Sequence, residues 1–381
     1  MQNKINGGAL GIYLHIPFCI KKCNYCDFCS LANSDSSLMI EYSRELARRI
    51  REFSAIYGKQ AADTVYFGGG TPTLLPHSCF EEIFSALRDS FFVAGGSEIT
   101  VECNPASIDL KGLEGLRSLG VNRLSIGLQS ANDDELEMLG RVHSFDDFCV
   151  TYENARQAGF DNISVDLMYG LPLQTRDKLE YSLEKLIELS PEHISAYGLK
   201  IEEGTRFYKD RDSLSLPDDD TCAEFYELCC ERFAKSGYRR YEISNFSLDG
   251  RESRHNLKYW SLEDYVGFGV AAYSCFRGER FGNSRNIKGF LEGRDICEYR
   301  QKISNNDKIS EYVMLGLRLE KGISLEDYFV ISGRELLEDY PTVKDFISKG
   351  FMKLEDGRLA FSTKGFLVSN IILSEILAFE D

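Results

Sequence analysis

Over its first 200 residues the chain alternates short β-rich runs with longer segments whose apolar residues recur at helical spacing, and that rhythm leaves few folds open. The β-rich runs fall at 11–16, 63–67, 98–102, 122–128, 161–168 and 193–199, with helical patterning at 38–56, 79–92, 145–158 and 179–189. Strands alternating with helices pair in parallel, because the chain needs a crossover to return to the same end of the sheet. An α/β fold of six such repeats is either a doubly wound sheet or an incomplete (β/α)6 barrel. The strand ends favour the barrel, whose working residues gather at the C-terminal mouth. A cysteine loop follows the first strand; Gly68, Gly69, Gly70, Thr71 and Pro72 follow the second; Glu102, Asn104 and Pro105 close the third. Gln129 and Ser130 follow the fourth, Asp166 lies in the fifth and Tyr197 in the sixth.

The cysteine loop carries the chemistry. Of 12 cysteines, four lie between Cys19 and Cys29, and the others are scattered without ligand-like spacing apart from the adjacent Cys229 and Cys230. Residues 1–11 show no basic stretch and apolar run of an export signal, so a cytoplasmic chain with metal ligation is expected rather than a disulfide framework. Cys19, Cys23 and Cys26 form CxxxCxxC, and three thiolates in so short a loop can hold three irons of a [4Fe-4S] cubane and leave the fourth open. A ligand with an amine and a carboxylate, such as the methionyl end of S-adenosylmethionine (SAM), can chelate that iron. Zinc is the alternative, with Cys29 as a fourth ligand, although zinc cysteines usually come as two separated pairs. Glycines after the second strand let the backbone approach such a ligand without a Cβ in the way.

Beyond the first 237 residues the texture changes. Residues 238–300 are rich in Gly, Asn, Tyr and Arg and read as an irregular segment wrapping the barrel mouth. Residues 301–381 read as helices, a β-hairpin turning at Asp356 and Gly357, and a last apolar helix, a small winged-helix-like domain. That domain has 10 Lys and Arg against 14 Asp and Glu, and the whole chain has a formal charge of −16, so nucleic acid is not an expected partner. No window reaches the roughly 18 uninterrupted apolar residues of a membrane span, so membrane contact is expected only through a partner.

The runs YLHIPFCIKKCNYCDF (13–28), FGGGTP (67–72) and NRLSIGLQS (122–130) resemble the radical SAM branch that contains oxygen-independent coproporphyrinogen oxidase. LGRVH (139–143), DLMYGLPLQT (166–175), YEISNF (241–246) and HNLKYW (255–260) resemble, more narrowly, the heme chaperone HemW family, and the likeness spans almost the whole chain. The resemblance implies that Cys19, Cys23 and Cys26 hold the cluster and that Tyr13, Gly69, Glu102 and Arg141 touch its SAM. It also implies that Tyr25, Gly70, Thr71, Gln129 and Asp166 match places that bind a second SAM in the oxidase relative. By composition alone, Tyr13 and Tyr25 read as aromatic packing beside the cluster.

The resemblance further associates the HNxxY stretch, His255, Asn256 and Tyr259, with heme binding. His255 has Arg251, Arg254, Tyr259, Trp260 and Tyr265 close in sequence, the neighbours a heme wall and its propionates need. Read without the family, His255 and Asn256 cap a loop while Tyr259 and Trp260 pack in the core. The expected function is a heme chaperone that delivers heme to apo-proteins such as respiratory cytochromes. An electron donor for the cluster and a homodimer are its further implied partners. The alternative is a coproporphyrinogen oxidase or another porphyrin-directed radical SAM enzyme. Against oxidase activity, Phe28 stands where the oxidase has a further cysteine, Cys29 comes one place later, and the segment before the cluster is short.

Overall fold

A computed structural model describes residues 8–377 of the 381, so most of the opening stretch read for an export signal lies outside the described residues. Strands β1 (Leu10–Ile16), β2 (Gln60–Gly69), β3 (Phe91–Cys103), β4 (Arg123–Gln129), β5 (Ile163–Tyr169) and β6 (His193–Gly198) pair in parallel and in chain order. Their crossovers are α1 (Ser36–Tyr57), α2 (His77–Ser90), α3 (Leu110–Leu119), α4 (Phe145–Gln157) and α5 (Arg176–Leu189). Asp35, Asp109, Ser144 and Thr175 start four of these helices, each side-chain oxygen accepting from a first-turn N–H that has no partner within the helix.

Each strand divides its residues by parity. Ile12, Leu14, Val65, Phe67, Leu124, Ile126, Val165 and Leu167 belong to the core shared with the helices. The alternate positions, among them Tyr13, Tyr66, Glu102, Arg123, Asp166 and Tyr197, carry polar groups. The sheet therefore has an oily helix-facing side and a polar inner side.

Two segments differ from the sequence expectation. The third strand is 13 residues long because Phe91–Val93, of which Phe91 and Phe92 read in the sequence as the end of a helix, pair with Gln60–Ala62 before the register shifts. The stretch read as irregular forms strands that widen the sheet. After α6 (Asp219–Lys235) come β7 (Arg239–Arg240), β8 (Asn245–Ser247), the short helix α7 (Arg254–Trp260), β9 (Tyr265–Phe268), β10 (Tyr273–Phe276), β11 (Glu279–Asn283) and β12 (Cys297–Lys302). β8 lies antiparallel on β6, while β9 lies parallel on the free edge of β1 and leads into an antiparallel meander. The order across the twelve-stranded sheet is β12-β11-β10-β9-β1-β2-β3-β4-β5-β6-β8-β7.

A second core follows. α8 (Asn305–Gly316), β13 (Ile323–Ser324), α9 (Leu325–Ser332), β14 (Met352–Glu355), β15 (Arg358–Phe361) and α10 (Ser369–Ile376) bury Val313, Leu317, Tyr328, Leu359, Phe361 and Phe366. β14 and β15 form the expected hairpin, with Asp356 and Gly357 at φ of 50° and 70°, the left-handed pair a tight hairpin turn needs. β12 runs through residue 300, so its last residues still belong to the large sheet. Among the described residues no helix is long and apolar enough to cross a membrane.

Candidate functional site

The ends of five parallel strands and the loop after β1 converge on one cavity of about 390 Å3. Cys19, Cys23, Cys26, Tyr25, Gly69, Gly70, Glu102, Gln129, Arg141 and Asp166 all line it. Most of the residues singled out from the sequence are thus brought together, though they span more than a third of the chain.

The cysteine loop is tied down on both sides. Thr71 N donates to Phe18 O at 2.7 Å and Gly70 N to Ile16 O at 2.8 Å, so the glycine run of β2 grips the chain entering the loop. Asn24 N donates to Leu139 O at 2.9 Å and the Asn24 amide to Met138 O at 2.8 Å, fixing the far side. A Cβ on Gly70 would lie 2.6 Å from Phe18 O and 3.0 Å from Cys19 Sγ, which explains the glycine. Two donors reach the sulfurs: Arg141 Nη1 lies 3.6 Å from Cys23 Sγ and Thr71 Oγ1 3.8 Å from Cys19 Sγ. Donors of this kind tune an iron–sulfur cluster.

The three thiols face one cavity without meeting at a point. Among the described residues no three His, Cys, Asp or Glu side chains are close enough to hold a single ion. A cubane takes its thiolates at separate corners and needs no such convergence. Cys29, the fourth ligand of the zinc alternative, lines a different cavity. Burial pushes the Cys26 thiol up to about 11, so its proton leaves when a metal cation takes its place on the sulfur.

Beyond the sulfurs the cavity wall is polar and held in place. Glu102 accepts from Tyr66 OH at 2.9 Å and from Gly69 N at 3.0 Å, and burial raises its carboxyl to about 7. Asp166, raised to about 6 chiefly by burial, accepts from Ser125 Oγ at 3.4 Å. Gln129 sits at φ 75°, a left-handed conformation rare for glutamine, and its amide oxygen accepts from Tyr197 OH at 2.9 Å. Arg141 Nη2 donates to Asn104 Oδ1 at 2.8 Å and Gly127 O at 2.9 Å, while its buried Nε has no partner among the described residues. An arginine, two carboxylates and glycine-lined backbone at one cavity fit the amine, carboxylate and ribose of SAM.

Three expected residues stand elsewhere. Thr71 borders a small adjoining cleft, where it accepts from Asn104 Nδ2 at 2.6 Å. Tyr13 lines the second cavity, its hydroxyl 3.1 Å from His15 Nδ1. His255 lines neither cavity. It is 1% exposed, with Nδ1 2.8 Å from Thr64 Oγ1 and Nε2 2.8 Å from Tyr259 OH, and its ring stacks on Tyr66. Burial lowers its pKa to about 3, so it is neutral. Both of its ring nitrogens are thus bonded inside the barrel. Ser125, Met168, Lys200 and Glu202, which also line the first cavity, were not singled out from the sequence. Their positions, in step with Arg123 on β4 and with Asp166 on β5, were the signal for the first two.

The curled parallel sheet with three thiols at its mouth defines the class: the family model for the radical SAM superfamily matches residues 13–186, and that of the HemN C-terminal domain matches 303–368. The heme chaperone HemW of Bacillus subtilis is 36% identical over 96% of this chain and 98% of its own length. The Escherichia coli heme chaperone HemW is 32% identical over 97% of this chain and 98% of its own. The chain belongs to the heme chaperone HemW family. The structure of E. coli coproporphyrinogen III oxidase (HemN) superposes with a TM-score of 0.86 over 99% of this chain and 92% of that one, at 22% identity, a likeness of fold.

Proposed function

We propose that the chain is a heme chaperone: it carries a [4Fe-4S] cluster on Cys19, Cys23 and Cys26, seats SAM at the open iron, binds heme and passes it to apo-proteins such as respiratory cytochromes. One observation carries this reading, the near-full-length identity to relatives named heme chaperones. Held by Cys19, Cys23 and Cys26 in the first cavity, the cluster would supply an electron to the SAM sulfonium.

The chain's own residues hold SAM. Gly69 offers backbone at the second strand end, Glu102 accepts from an N–H of the iron-chelating amine, and Arg141 supplies the cation of the wall. Tyr25, Gly70, Gln129 and Asp166 line the remaining wall, with Thr71 just behind, and are assigned to a second SAM. Tyr13 supports the site through the neighbouring His15. An electron donor, a heme-receiving protein and a second copy of the chain complete the set of partners. The formal charge of −16 speaks against nucleic acid. The cytoplasm is the compartment in which unliganded cluster thiols stay reduced, and membrane contact is assigned to a partner.

The test is titration of the anaerobically purified protein with hemin, followed by mixing with an apo-cytochrome. A shifted Soret band and its transfer to the acceptor are expected; an unchanged spectrum at stoichiometric heme contradicts the reading. The oxidase alternative rests on likeness of fold alone. Formation of protoporphyrinogen and carbon dioxide with SAM and reductant is the outcome that would restore it.

A further inference from the structure

A second cavity, of about 630 Å3, opens beside the cluster loop, and Asp27 and Phe28 line both chambers, so the loop is the partition between them. Its size falls in the range of roughly 300–1,000 Å3 usual for small-molecule sites. Four tyrosines from four elements wall it: Tyr13 on β1, Tyr259 on α7, Tyr265 on β9 and Tyr273 on β10. Phe28 and Tyr273 are 64% and 54% exposed, large rings that nothing in the described chain covers. Arg285 lines the cavity too, 3.4 Å from Asp27, with Asn283 beside it and Glu298 as the other carboxylate among the lining residues. Cys29 is the one thiol among the lining residues. Three other donors of the lining are already bonded to the protein: His15 Nε2 donates to Cys29 O at 2.8 Å and its Nδ1 bonds Tyr13, while Tyr259 OH bonds His255.

We infer that this aromatic chamber seats the heme macrocycle, with Cys29 as the sulfur donor to its iron and Arg285 facing a propionate. The inference rests on the heme-chaperone reading and places its cargo. A flat apolar disc edged with carboxylates matches aromatic walls with a cation at the mouth. Ligation replaces the thiol proton, which leaves to solvent, and changes no oxidation state. The HNxxY stretch then meets heme through Tyr259, while His255 braces that tyrosine from inside the barrel.

The test titrates hemin and metal-free protoporphyrin IX onto anaerobic cluster-loaded protein, comparing the natural chain with Tyr273→Ala, Arg285→Glu and Cys29→Ser. Tyr273 and Arg285 are exposed, so their variants fold; iron content and SAM affinity serve as controls and stay unchanged. Both variants are expected to weaken both porphyrins by roughly tenfold. Cys29→Ser is expected to lose the thiolate signature of the ferrous carbonyl complex with hemin and to leave protoporphyrin binding intact. Natural protein that binds hemin with all three variants indistinguishable from it overturns the placement and leaves the chaperone reading standing. Natural protein that binds neither porphyrin overturns both.

Discussion

Burial raises the Glu102 carboxyl to about 7 against the two hydrogen bonds that favour its charge. An amine N–H donor and a sulfonium charge brought beside it favour the carboxylate, so below that pH Glu102 must give up a proton in order for SAM to bind. SAM affinity is therefore expected to rise as pH climbs to about 7 and to level off above it. Calorimetry across that range checks this: Glu102→Gln should bind roughly tenfold more weakly and without the slope. Glu102 was legible from the sequence, being a carboxylate that closes a β-rich run, and the three cysteines were legible because their spacing is local. His255 was not. Its partners Thr64 and Tyr259 fix it in the interior, and Thr64 is 191 residues away, so no local pattern announces that both ring nitrogens are taken.

The grip of β2 on the cluster loop is a property of the strand end as a whole. Gly70→Ala places a methyl against Phe18 O, so the loop must shift while the strands beneath keep their pairing. The variant is expected to fold, by circular dichroism, and to retain less than half the iron of the natural protein after anaerobic reconstitution, a drop that marks a displaced loop. Strand existence was readable from the β-rich runs, yet the parity within each was passed over, since parallel strands read as continuous apolar runs. In 122–128 the inner positions are Arg123, Ser125 and Gly127, and the polar lining was there to be read. The segment 238–300 was opaque for a different reason. Its strands β7 to β12 have two to six residues, and β9 finds its place only by pairing with β1, some 250 positions earlier.

At the scale of the molecule, Arg240 joins the two cores. Its Nε donates to Glu320 at 2.8 Å, its Nη1 to Tyr226 OH at 2.9 Å, and its guanidinium lies 4.1 Å from the centre of the Phe366 ring. Arg240→Ala is expected to lower stability by about 2 kcal/mol, through lost charge-assisted bonds and cation–π contact. Denaturant unfolding measures it, and a loss within experimental error would show the cores held by apolar packing alone. The account as a whole turns on a bare iron facing the strand-end carboxylates. Its most direct test is electron paramagnetic resonance of the reduced, oxygen-free protein with and without SAM, for the natural chain and for the variant with Cys19, Cys23 and Cys26 all replaced by alanine. The expected result is a cubane signal, with about four irons per chain, that changes when SAM is added and is absent from the variant. A cubane signal indifferent to SAM, or one that survives in the variant, contradicts the account.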